Sequence, residues 1–144
     1  LFKARNKTNA QAGGQVKPVI TGTEQTEYTE NDWLYKDIYF NGKNSFIGID
    51  MIYYQEKPVW SSSYHAIYTN ISEEELDRIL RKSIEKYPNV NTWEKIGKTN
   101  IDGYEYENIP DSENQSIEQV SGIERITKDG KEIYLLHYAG GTLN

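Results

Sequence analysis

Only two imidazoles, His65 and His137, stand in the 144 residues, and there is no cysteine. Acid–base chemistry must therefore use those rings or the carboxylates. Glu124 and His137 make the best pair. Asp129-Gly130 is a strong two-residue hairpin signal, and a plain turn there opposes Ile126 to Ile133, Glu124 to Leu135 and Gly122 to His137. Glu124 then shares a face with His137 and sits diagonal to it, about 7 Å away. A carboxylate so placed orients the ring for proton transfer. A histidine bonded to a neighbouring acid for structural reasons is the commoner arrangement.

Other reactive patterns are missing from the sequence. No serine lies in a nucleophile elbow. Gly13-Gly14 and Gly140-Gly141 lack the strand–glycine–helix setting of a phosphate loop. Metal-ligand spacings of the HExxH or EF-hand kind do not occur, so no metal and no cofactor is expected.

The second constellation favours recognition. Trp33–Phe40 and Ser45–Tyr54 are rich in aromatic and β-branched residues and flank Asn41-Gly42, which tolerates the positive φ of a tight turn. The implied register divides the hairpin into two faces. One carries Leu34, Lys36, Ile38, Phe40, Ile47, Ile49, Met51 and Tyr53. The other carries Trp33, Tyr35, Asp37, Tyr39, Phe46, Gly48, Asp50, Ile52 and Tyr54. Carboxylates among rings either bond to tyrosine hydroxyls or line a pocket, and their pKa values rise on burial. The pocket expected on this face takes a cationic or hydroxyl-rich ligand. Its residues are Tyr35, Asp37, Tyr39, Phe46, Asp50, Trp60, Tyr64 and Glu124.

These residues need a scaffold. Pro58 starts a third strand after a turn, Gln55-Glu56, that lacks its usual glycine. The run Ser61-Ser62-Ser63 places that strand near an edge or a cleft, and residues 33–64 read as a three-stranded meander. Ser72 with Glu75 forms a capping box ahead of a helix over 72–87, which Pro88 stops. Its stripe of Leu76, Ile79, Leu80 and Ile84 is expected to pack on the aliphatic Leu34/Ile38/Ile47/Ile49 face. Residues 1–31 read as a helix remnant and a mobile arm, and Asn89–Gly103 as a connector pinned by Val90, Trp93 and Ile96. Residues 104–139 supply a short strand and the C-terminal hairpin.

One domain over 1–144 is the expectation from length. The fold class is α+β: a twisted antiparallel sheet of five or six strands with one main helix on one face. Sixteen basic against 22 acidic residues give a charge of −6, which speaks against nucleic-acid binding through this domain alone. No apolar run reaches the roughly 20 residues of a membrane span. A cytoplasmic protein is the expectation. The chain opens at Leu1 with no initiator methionine, which fits a processed or excised piece of something longer.

The order LYKDIYFNG, FIG-x-D, KPVW-xxx-Y, helix, G-x-E-x-I, KDGKEIY and a terminal GG resembles the bacterial uncharacterised domain family DUF5680. Leu1–Ala12 is also similar to that family's opening. The family sometimes forms the C-terminal half of helix-turn-helix regulators. The resemblance marks Tyr35, Asp37, Tyr39, Phe46, Gly48, Asp50, Pro58, Trp60, Tyr64, Gly122, Glu124, Ile126, Tyr134, Gly140 and Gly141. Three polar family positions are altered, as Ser63, Ala139 and Ile49, which weighs against catalysis. The leading expectation is a non-enzymatic domain that senses a small ligand in an aromatic and acidic cleft. The alternatives are a protein-interaction or dimerising module, and a small acid–base enzyme using Glu124 and His137.

Overall fold

A computed structural model of the chain describes residues 1–11, 13–90 and 94–143. Ala12, within the family-like opening, and Trp93, expected to pin the connector, lie outside them. The elements are α1 (Phe2–Arg5), a π-helical turn (Asn6–Ala10), β1 (Glu24–Glu30), β2 (Trp33–Asn41), β3 (Ser45–Tyr54), β4 (Lys57–Tyr68), α2 (Glu73–Lys86), β5 (Ile96–Ile101), β6 (Tyr104–Pro110), β7 (Val120–Lys128) and β8 (Lys131–Thr142).

The strands form one antiparallel sheet in the order β1-β2-β3-β4-β8-β7-β6-β5. Eight strands replace the expected five or six. The two additions, β1 and β5, are the edges, where polar residues blunt further pairing. Their sequences, EQTEYTE and IGKTNI, therefore lack the apolar alternation that marks a half-buried strand. Residues 1–31 are correspondingly no free arm. Beyond the N-terminal turns, Gln15 bridges Thr26, and the Glu27 amide donates to the Gly14 carbonyl at 2.8 Å, so the segment skirts the β1 edge.

The sheet is two four-stranded meanders, β1–β4 and β5–β8, joined through β4 and β8. Their registers superpose by a pseudo-twofold centred on the Tyr64–Tyr138 pair. Asp37 opposite Asp50 corresponds to Asn108 opposite Glu124, and Tyr35 opposite Ile52 to Tyr106 opposite Ile126. Gly48 opposite Tyr64 corresponds to Gly122 opposite Tyr138. β4, expected at an edge or cleft, is central, and its Ser62 is buried.

α2 is capped as its sequence demands: the Glu75 amide donates to the Ser72 hydroxyl at 3.2 Å, with Glu73 to Glu75 in the first turn, where the helix dipole favours negative charge. It packs on the opposite face from the one expected. Leu76 and Ile79 are buried with Ile101, Tyr104, Tyr106, Ile126 and Tyr134, while Phe40 and Ile47 on the aliphatic face are 45% and 53% exposed. Period-two alternation separates the faces without saying which is inward. The aromatic face wins because its hydroxyls find acids on the same face, so its polar tips stay hydrogen-bonded after burial. None of the helices among the described residues is long and apolar enough to cross a membrane.

Candidate functional site

The tyrosines reach their acids because glycines stand in their way. Tyr64 on β4 lies across Gly48 on β3, and its hydroxyl donates to Asp37 Oδ1 on β2 at 2.5 Å. A Cβ on Gly48 would collide with that hydroxyl and lie 2.7 Å from the Ile38 carbonyl. The second meander repeats the device: Tyr138 crosses Gly122 toward Asn108. The Tyr35 hydroxyl donates to Asp50.

Arg5 comes down from the N-terminal turns onto the pseudo-twofold. Its guanidinium is 3.8 Å from Glu124 and acts on the charges of Asp50, Tyr35 and Tyr106. These four partners are two symmetry-related pairs, so one cation serves both halves. Burial disfavours its charge, and the carboxylates of Glu124 and Asp50 outweigh that and raise its pKa.

The acids feel the same enclosure. Asp37 is 5% exposed, and burial, then repulsion from Asp50, push its pKa up to about 8 against the bond from Tyr64. Burial also raises Asp50 and Glu124, with Arg5 opposing the rise at both. The hydroxyls of Tyr35, Tyr64, Tyr106 and Tyr134 are held well above the usual range, first by burial, so they act at neutral pH as hydrogen-bond groups.

Above this floor lies a cavity of about 660 Å³. The sheet face of the first meander, with Glu124, Tyr134, Leu136 and Tyr138 of the second, forms its base, and Leu76, Leu80 and Ile84 of α2 with Thr8 and Asn9 form its cover. It exists because α2 lies over the second meander, against β5, and the π-helical turn fills only part of the span between α2 and β1. Seven carboxylates and two arginines line it. Of the arginines, Arg81 is engaged, donating to Asp77 at 2.6 Å and to the Asn9 carbonyl at 2.9 Å. At the rim, Glu24 accepts from Tyr39 and Asn41.

The sequence-derived residues divide clearly. Asp37, Tyr39, Phe46, Asp50, Tyr64 and Glu124 meet at the cavity, and Tyr35 lies beneath it, holding Asp50. Trp60 stands apart: it is 2% exposed, and its indole N–H donates to the Ile117 carbonyl at 3.1 Å, under the loop between β6 and β7. The Glu124–His137 pair does not form. A bulge shifts the β7–β8 register after Ile126, so that Ile126 pairs with Tyr134, Glu124 with Leu136 and Ile123 with His137. A one-residue slip sends every later side chain to the other face, and His137 points away from Glu124, exposed beside His65.

Sequence reasoning missed Arg5, Thr26, Tyr68 and Tyr138, and Tyr134 stood out only through the family resemblance. A signal for part of this was present. Tyr35-Lys36-Asp37-Ile38 repeats as Tyr106-Glu107-Asn108-Ile109, and Gly48-Ile49-Asp50-Met51-Ile52 repeats as Gly122-Ile123-Glu124-Arg125-Ile126. Each glycine precedes its tyrosine by the same interval. That internal repeat announces two half-sites and places Tyr138 opposite Tyr64. Among the described residues no group of three or more histidine, cysteine or acidic side chains is arranged to hold a metal ion.

A family model described as Domain of unknown function (DUF5680) matches residues 37–143. No curated protein and no solved structure matches the chain.

Proposed function

Because the chain belongs to the DUF5680 family, whose description names no activity, we propose from the geometry that it is a non-enzymatic module binding a small ligand beneath α2. The observation that carries this reading is the cavity of about 660 Å³ with Asp37, Asp50, Tyr64 and Glu124 at its base. Ligand pockets fall in the range of roughly 300–1,000 Å³ and combine apolar walls with a few convergent polar groups. Phe46, Leu76, Leu80, Ile84 and Leu136 supply such walls. A general acid–base reaction has less support, since both histidines stand on the far face.

Nuclear magnetic resonance titration of the labelled protein with neutral, anionic and cationic aromatic fragments tests the reading. Shifts are expected to cluster at Phe46, Ser62, Tyr64 and Leu136. Leu80→Trp, which fills the space from the helix side, is expected to abolish them while leaving the remaining spectrum dispersed. Fragments that perturb only residues outside the cavity, or that bind Leu80→Trp equally well, would overturn it.

A further inference from the structure

The charges of the two half-sites do not balance in the same way. Asp50 and Glu124 are symmetry equivalents that share Arg5. Asp37 has no such counterpart, because its equivalent is the neutral Asn108. Among the described residues its hydrogen-bond partner is the Tyr64 hydroxyl. Arg5 does act on Asp37, but as the smallest of the influences on it, so Asp37 is the floor acid that this cation serves least.

Its surroundings are open on one side. Thr26 stands directly opposite Asp37 in the β1–β2 register. Among the described residues the buried hydroxyls of Thr26 and Tyr134 have no hydrogen-bond partner. Both side chains line the cavity. Buried hydroxyls left unsatisfied are costly and call for a partner. Phe46 packs between Tyr64 and Tyr134, with ring centroids 6.1 and 6.3 Å away, and forms an aromatic wall beside the acid. At the equivalent place in the second meander, beside Ile96, Tyr106, Asn108 and Glu124, the space shrinks to about 30 Å³, so the first half-site is the one with room for a ligand.

We propose that this hollow half-site takes a small organic cation, a primary amine or guanidine on an apolar or aromatic body. Its head pairs with Asp37 and donates to the Thr26 hydroxyl, and its body lies against Phe46 and the α2 leucines. The assignment rests on the ligand-binding reading above. The lining supports the sign of the ligand's charge: seven carboxylates face two arginines that are already engaged. A cation gains charge-assisted hydrogen bonds and contact with ring faces, whereas an anion meets repulsion from nearly every side. Arg5 is in this view the built-in cation of the other acids, and the ligand supplies the missing one.

The test uses 2-phenylethylamine, the neutral 2-phenylethanol of almost the same shape, and phenylacetate, each titrated into the full chain with resonance shifts as readout. At about pH 8.5, above the value of about 8 near which Asp37 titrates, the amine is expected to bind at the cavity about tenfold more tightly than the alcohol, and phenylacetate not at all. Asp37→Asn, which retains the side-chain shape found at Asn108, is expected to reduce amine affinity to that of the alcohol while leaving the alcohol unchanged. Thr26→Val is expected to weaken the amine severalfold without loss of fold. Equal binding of amine and alcohol at the cavity, or an amine affinity indifferent to Asp37→Asn, overturns the cation assignment and leaves the ligand-binding reading standing. If neither compound perturbs cavity residues, both fall.

Discussion

Asp37→Asn should change how stability depends on pH, and the sign follows from the enclosure of the carboxyl. An unfolded aspartate titrates near about 3.9, whereas in the folded chain burial and Asp50 push Asp37 up to about 8. Between those values the folded protein holds a proton that the unfolded chain has released. Stability from such a group is fully present below the unfolded pKa and is lost as pH rises through the folded one. For one whole proton the slope is about 1.4 kcal/mol per pH unit, so roughly 2 kcal/mol disappears between about pH 6 and 7.5. Asparagine keeps the acceptor for Tyr64 and titrates nowhere, so the variant loses this slope. Urea denaturation at about pH 5.5, 6.5 and 7.5 should find Asp37→Asn increasingly more stable than the wild type as pH rises. Parallel stability profiles for the two proteins would show that Asp37 is ionised and well solvated, and would remove the basis of the argument.

Arg5→Met leaves Asp50 and Glu124 without their shared cation. A loss of about 3–5 kcal/mol is expected near neutral pH, as when one partner of a buried ion pair is removed. The loss should shrink in acid, where those carboxyls protonate, and calorimetry at two pH values reads both. Gly48→Ala drives a methyl into the Tyr64 ring and the Ile38 carbonyl. Overpacking of this kind costs about 1–3 kcal/mol, and a denaturation midpoint equal to wild type would contradict the crossing of Tyr64 over β3. Gln55 and Glu56 both take positive φ, 48° and 65°, a conformation costing side chains about 1–2 kcal/mol each. Replacing them with Asn-Gly is therefore expected to raise the melting temperature; a lower one would count against the turn.

The sequence carried the central hairpin faithfully. Asn41-Gly42 and the two apolar runs put Asp37, Asp50, Tyr35 and Tyr39 on one face, as they stand, although the direct opposition of Asp37 and Asp50 comes from a register the turn does not specify. It could not carry which face is inward. That depends on a partnership across strands, tyrosine hydroxyls with acids two strands away, which periodicity within one strand does not encode. Nor could it carry the bulge after Ile126: Asp129-Gly130 specifies a turn, whereas one extra residue in a ladder leaves no mark on composition. Arg5 carries no signal of its own within the N-terminal segment, because its role depends on docking onto a sheet that is distant in sequence. The edge strands β1 and β5 escaped for a cause internal to their job, since polar edges are what protect a sheet.

The joint between the two meanders also decides how the chain is assembled. Neighbouring strands within each half are close in sequence, so their pairing closes short loops, whereas β4 meets β8 only after α2 and the whole second meander have been made. Such a long closure slows folding more than local pairing does. Until it happens, β4 presents a twelve-residue unpaired edge, and this edge is shaped to receive a strand related to itself by a twofold. A second nascent copy of β4 competes for that edge, although it sets Ala66 where Gly140 of β8 packs closely against Ser61 and Ser62. The docking step is accordingly where the folding pathway stands open to exchange between molecules, and the ordered β4–β8 seam is what closes it.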